Sequence, residues 1–105
     1  MLNPKMLKQI EQMQANMIKA QEELGSVTVE GSAGGGAVTL VMNGHQELQS
    51  LTIDPEFVDP EDVDTLQDAI VAAFHDAQRK AQEVAQDKMG AAAGGLGNLG
   101  LPGLP

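Results

Sequence analysis

The chain reads as an α+β protein of order α-β-β-β-α, two long helices flanking a three-stranded antiparallel sheet. Three observations carry that reading. Apolar residues recur at spacings of three and four toward both ends of the 105-residue chain, the period of amphipathic helices. Between these regions lie three short runs rich in β-branched residues, punctuated by "GSAGGG" and by Asn43-Gly44, as strands joined by turns are. Finally, Asn3-Pro4 and Asp59-Pro60 have the form of helix starts, a capping side chain followed by a proline whose missing N–H costs nothing there.

The elements follow in order. Asn3 as cap, Pro4 at the first position and Gly25 as stop predict a first helix over 4–24. Its residues Met6, Ile10, Met13, Met17, Ala20 and Leu24 alternate spacings of four and three, one stripe of heptad type. A stripe of this kind packs equally well on its own sheet or on a second chain. Strands are expected over 26–30, 37–42 and 47–53, with Asn43-Gly44 supplying the positive-φ pair of a tight hairpin. Asp59 as cap, Pro60 and a first turn of acids, which suit the positive end of the helix dipole, predict a second helix over 60–89. Val63, Leu66, Ile70, Ala73, Ala77, Ala81 and Val84 lie on its stripe, with Phe74 beside it and Gly90 as stop.

Lengths then argue for assembly. At 1.5 Å per residue the helices span about 31 and 45 Å, whereas a six-residue strand spans roughly 20 Å. Both helices must overhang the sheet, and their apolar stripes need each other or a second chain; the sheet's open edge is a further reason to expect a homodimer. Residues 1–89 form the expected dimerisation domain, with Met6, Ile10, Met13, Met17, Leu66, Ile70 and Phe74 as its core or seam. Residues 90–105, "GAAAGGLGNLGLPGLP", are expected to be a disordered tail, its spaced leucines alternatively a short adhesive segment for a partner.

Composition excludes several chemistries. Gly31 and Gly36 have the separation of a phosphate-binding loop, but Ala37 and Val38 stand where a lysine and a hydroxyl must follow. A dinucleotide fingerprint runs from strand to helix, whereas this glycine cluster runs from strand to strand. The chain has no cysteine, so thiolate catalysis and zinc-thiolate sites are impossible. His45 and His75 share no metal-ligand motif, and the acids near residue 60 lack the glycine turn of a calcium loop. Neither an enzyme nor a cofactor is expected. Lacking a signal-like apolar segment or a membrane-spanning run, the chain is expected in the cytoplasm.

A formal net charge of −9 argues against generic polyanion binding, which lysine and arginine dominate, so any nucleic-acid contact must be a local patch. Lys5 and Lys8 stand out because they occupy the first turns of a helix, where the dipole disfavours cations; such an end, with its free N–H groups, is also an anion-binding arrangement. Arg79, Lys80 and Lys88 lie in the later half of the second helix, where the dipole favours them anyway.

The stretches "MLKQIEQMQANMIKAQEEL", "VTVEGSAGGGAVTLVMNG" and "LTIDPEFVDPEDVDTLQDAIVAAFHDAQRKAQE", with a tail ending "LGLPGLP", together resemble the YbaB/EbfC family of bacterial nucleoid-associated proteins. The resemblance covers about residues 2–89. It implies a tweezer-like homodimer with projecting helices and duplex DNA gripped by the helical tips. Carried over residue by residue, it assigns DNA contact to Lys5, Lys8, Arg79 and Lys80, and more weakly to Lys19 and Lys88. The basic residues that family members often carry in the middle strand and before "IDP" have no counterpart in "AVTLVMNG" or "QELQSLTID", which turns attention from the sheet to the helices. The alternative is an acidic adaptor that recruits other proteins through its surface and leucine-rich tail without touching DNA.

Overall fold

A computed structural model describes residues 3–94. The chain is elongated, 69 × 27 × 17 Å, and its elements are α1 (Pro4–Leu24), β1 (Thr28–Ala33), β2 (Val38–Asn43), β3 (Leu48–Ile53) and α2 (Val63–Ala92). The strands form one antiparallel sheet in the order β1-β2-β3.

The first helix has the predicted bounds. Asn3 Oδ1 accepts the Met6 amide at 2.7 Å, and Pro4 opens the first turn. At the other end the Gly25 and Ser26 amides close on the carbonyls of Glu22 and Glu23. That closure, with the Ser26 hydroxyl also donating to Glu23 O, holds residue 26 in the helix exit, so β1 begins at Thr28 rather than at residue 26.

The glycine cluster divides into two kinds of glycine. Gly34, Gly35 and Gly36 form the turn between β1 and β2 with φ of 65°, 68° and 94°, a left-handed path that side chains resist. Gly31 instead lies inside β1, opposite Leu40, and is buried. It is where α2 touches the sheet: a Cβ added there would lie 2.5 Å from the Ala77 amide nitrogen and closer still to the Ala73 carbonyl oxygen.

The Asn43-Gly44 turn departs from expectation. Gly44 does not have positive φ; Gln46 does, at 63°. The connection is longer than a two-residue hairpin, and buried Asn43 organises it. Asn43 Oδ1 accepts the His45 and Glu47 amides, while its Nδ2 donates to Glu47 Oε1 and to the Gly25 carbonyl at the end of α1. Gly44 is needed for proximity, since its amide donates to Leu24 O and an added Cβ would sit 2.7 Å from that oxygen. The turn therefore fastens α1 to the sheet.

The second helix begins at Val63, three residues later than predicted, because two aspartates compete to start it. Asp59 caps only a turn, accepting the Glu61 amide, whereas Asp62 accepts both the Thr65 amide and its hydroxyl. Gly90 does not stop the helix, which continues through Ala91 and Ala92, good helix formers that offset the roughly 1 kcal/mol cost of an interior glycine. Residues 95–105, most of the expected disordered tail, lie outside the described residues.

The core is a stripe of alanines against one strand. Ala73, Ala77 and Ala81 have no exposed surface and Ala69 has little; they pack on Val38, Leu40 and Met42 of β2. Small side chains at every fourth position let the helix axis approach the sheet closely. Leu66, Ile70 and Phe74 flank this core, partly buried. By contrast Met6, Ile10 and Met17 are exposed, and Met13 is half-covered: only the end of α1, at Ala20 and Leu24, is buried. Both helices overhang the sheet, as their lengths require.

Candidate nucleic-acid interface

Six cationic side chains define the electrostatics of this acidic chain, and they fall into two groups. Lys5 and Lys8 lie in the exposed first turns of α1, a segment with no acidic residue before Glu11. Neither forms an ion pair among the described residues, and Lys19 forms none either. Among the described residues Lys5 and Lys8 are therefore unneutralised charges, on a stretch of α1 that lies beyond its contact with the last turns of α2.

Arg79, Lys80 and Lys88 are engaged. Arg79 donates to Asp76 Oδ1 at 3.0 Å and to Glu83 Oε1 at 2.9 Å. Lys80 Nζ lies 3.3 Å from Asp76 Oδ2 and donates to the Glu30 carbonyl at 2.9 Å. Lys88 pairs with Glu23 at 2.9 Å, joining α2 to α1. Exposed ion pairs of this kind are weakly held and exchangeable, so a phosphate reaching Arg79 or Lys80 must compete with Asp76 and Glu83.

Asp76, which sequence reasoning passed over, organises this second cluster. Its Oδ2 also accepts the Ser32 amide of β1 at 3.1 Å. That amide, together with the two cations, holds the Asp76 carboxyl below the ordinary aspartate range, and the Asp76 and Glu83 carboxylates in turn raise Arg79. The signal in the sequence was local: an aspartate three and four residues before an arginine and a lysine is a favourable helical pair. Its contact with β1 carries no such signal. Lys88, and secondarily Lys19, likewise lowers Glu23.

The fold keeps the two groups apart. Glu23 beside Lys88, and Asn16 across a groove from Ala91 and Ala92, show α1 running antiparallel to the last turns of α2. Lys8 lies about 22 Å from Glu23 along α1, and Lys80 about 12 Å from Lys88 in the opposite sense, at 1.5 Å per residue. The clusters are thus separated by roughly 34 Å along the molecule, one at each side of the α1–α2 contact.

The sheet has one closed edge and one open one. On β1 the Ser32 amide and the Glu30 carbonyl are taken by Asp76 and Lys80 of α2, which protects the edge from pairing. On β3 all residues but Ile53 are exposed. Leu48 and Leu51 are 51% and 43% exposed although they pair with core residues Met42 and Leu40, because α2 covers β1 and β2 but stops short of β3.

Among the described residues no group of histidines and acids has a metal-binding arrangement, and no helix is long and apolar enough to cross a membrane. His45 and His75 are both exposed.

The YbaB/EbfC DNA-binding family matches residues 2–96. The chain belongs to that family. Among the relatives of this YbaB/EbfC chain is a nucleoid-associated protein of Chloroflexus aurantiacus, 54% identical over 99 residues, covering 93% of this chain and 99% of the relative. Another, of Saccharopolyspora erythraea, is also described as a nucleoid-associated protein and is 53% identical over 104 residues, covering 93% and 90%. The YbaB/EbfC fold itself is matched by the crystal structure of an uncharacterized protein of Helicobacter pylori, with a TM-score of 0.62, 24% identity, and coverage of 74% of this chain and 90% of that one.

Proposed function

We propose that this chain is a nucleoid DNA-binding protein that acts as a homodimer and grips the backbone of duplex DNA through its projecting helices. Lys5 and Lys8 make the leading contacts. Arg79 and Lys80 add contacts by exchanging their carboxylate partners for phosphate, and Lys19 and Lys88 contribute at the junction of the helices. The observation that carries the reading is the arm of α1: two lysines at the positive end of a helix dipole, with no ion pair among the described residues, in a member of a DNA-binding family. Long-range repulsion by the net charge of −9 is screened beyond about 8 Å at physiological salt, so a local patch on a projecting arm can still engage phosphate. Contacts of this type position a protein on the duplex and carry little sequence information. Titrating duplex DNA with the protein at several salt concentrations, followed by gel shift, tests the reading; absence of a shift even at low salt would favour the adaptor role.

The second copy is proposed to join at β3. The Asp54 amide donates to Ala37 O at 2.8 Å, and alternation along an antiparallel ladder then turns the Leu51 N–H away from β2, toward the open edge. Leu51→Pro removes that outward donor and spares the internal ladder, a position where an edge strand tolerates proline. Light scattering is expected to show the wild type at twice the protomer mass and the variant shifted to the monomer; a dimeric variant would place the interface elsewhere.

The Asp76 cluster makes a pH prediction. A carboxyl held below its ordinary pKa contributes stability that is complete above the unfolded value, about 3.9, and is lost as pH falls through the folded value. In Asp76→Asn, which keeps an acceptor for the Ser32 amide but loses the charge, the melting temperature should fall most at neutral pH. The gap to wild type should narrow below about pH 4. A gap independent of pH would show that the charge contributes nothing.

A further inference from the structure

The dipeptide Asn43-Gly44 carries a reactivity that the fold holds closed. In an asparagine followed by glycine, the next amide nitrogen can attack the side-chain carbon, because the glycine has no Cβ to hinder the approach. That nitrogen must first be free, and the side chain must be able to turn toward it. Neither condition is met here. The Gly44 N–H donates to Leu24 O at 2.9 Å and to Val27 O at 3.0 Å. Buried Asn43 is fixed at both ends of its amide: Oδ1 accepts the His45 and Glu47 amides, while Nδ2 donates to Glu47 Oε1 at 2.7 Å and to Gly25 O at 3.3 Å.

Three of these acceptors, on Leu24, Gly25 and Val27, belong to the end of α1 and its exit. Lifting that end frees the Gly44 amide and one bond of Nδ2 together, and leaves the dipeptide an ordinary turn. Local openings of this kind occur at a lower free energy than global unfolding.

We propose that Asn43-Gly44 is a latent deamidation site, closed while α1 is docked and reactive once α1 lifts, whose product keeps α1 from docking again. The Gly44 amide nitrogen gives its proton to solvent and bonds to Cγ of Asn43. The Cγ–Nδ2 bond breaks, and Nδ2 takes up a proton and leaves as ammonia. Water then opens the succinimide ring at either carbonyl, giving aspartate or isoaspartate at position 43. Aspartate puts an acceptor where Nδ2 donated, so its oxygen faces the Gly25 carbonyl and the Glu47 carboxylate. A buried carboxylate beside a second one is strongly unfavourable. Isoaspartate instead inserts a methylene into the backbone at the end of β2, where Asn43 pairs with Thr28. Either product unfastens the turn that ties α1 to the sheet. This inference rests on the turn alone and stands apart from DNA binding.

Peptide mapping of the full-length chain after incubation at mildly alkaline pH tests it. In the folded chain, deamidation at Asn43 is expected to be about a hundredfold slower than in the same chain unfolded in urea. Leu24→Ala leaves the dipeptide intact but removes a buried side chain that docks α1, and should speed the reaction in native buffer by roughly tenfold or more. Equal rates in native buffer and urea, or no acceleration in Leu24→Ala, would overturn the closed site. Asn43→Asp reproduces the aspartate product, and its Gly44 amide is expected to lose hydrogen-exchange protection by about tenfold or more. Adding Glu47→Gln, which offers the new carboxylate a donor, should restore part of that protection, and the rescue is read equally where the single variant unfolds. Wild-type protection in Asn43→Asp, or no rescue by Glu47→Gln, would overturn the role of the product.

Discussion

Replacing both Lys5 and Lys8 with glutamate is expected to abolish the retardation of duplex DNA while leaving circular dichroism and molecular mass unchanged. The reasoning begins with counterion release: neutralising a phosphate frees a condensed cation, so each contact adds about −0.9 to the slope of log affinity against log salt. If the two arms of a dimer neutralise four phosphates through these lysines, the wild-type slope is about −3.6, or roughly 150-fold in affinity between 50 and 200 mM salt. The double substitution removes those four contacts and puts four negative charges in their place, facing the same phosphates. It is structurally mild because both side chains are exposed and off the Met6, Ile10, Met13 stripe. An unaltered gel shift in the folded variant would move the DNA contacts away from the α1 arm, to Arg79 and Lys80.

That separation of roles was only half legible in the sequence. Local chemistry was readable: Asn3, Pro4 and Gly25 bound α1 correctly because capping involves residues three or four apart. The order of strands followed from β-branched runs and glycine punctuation. Where two local signals competed, the nearer to the apolar run prevailed, as Asp62 did over Asp59. What escaped was long-range. Asn43 looked like a turn residue by composition, yet its amide nitrogen reaches Gly25 across 18 positions. Asp76 is an ordinary helical acid until β1 arrives beside it, 44 residues away in sequence. The cationic residues were identifiable by type, but which of them are neutralised is decided by the carboxylates that folding and helix register bring near. The stripe of α1 likewise showed its period without showing that only its last turns meet α2.

The largest effect on stability is expected from the smallest change, Gly31→Ala. In sequence Gly31 looked like one more residue of a glycine loop, but in the fold it is the point at which α2 rests on β1. An added methyl would lie 2.5 Å from the Ala77 amide nitrogen and 2.6 Å from its Cβ, and nearer still to the Ala73 carbonyl oxygen. These are mostly helix backbone atoms, which cannot rotate aside as the end of a long side chain can. The helix must lift, and with it Ala73, Ala77 and Ala81, which have no exposed surface in the native packing. Overpacking of this severity costs about 3 kcal/mol or more, equivalent to a fall in melting temperature of roughly 12–24 °C for a domain of this size. Gly35→Ala is the informative control. Nothing lies within 4 Å of its would-be Cβ, but its φ is +68°, so it should cost only the left-handed strain of about 1–2 kcal/mol. Thermal unfolding of the two variants thus distinguishes close approach from conformational freedom. If Gly31→Ala melts no lower than Gly35→Ala, then α2 does not sit against β1 as described. The Asp76–Ser32 bond would then lose its basis too, since it depends on the same close approach.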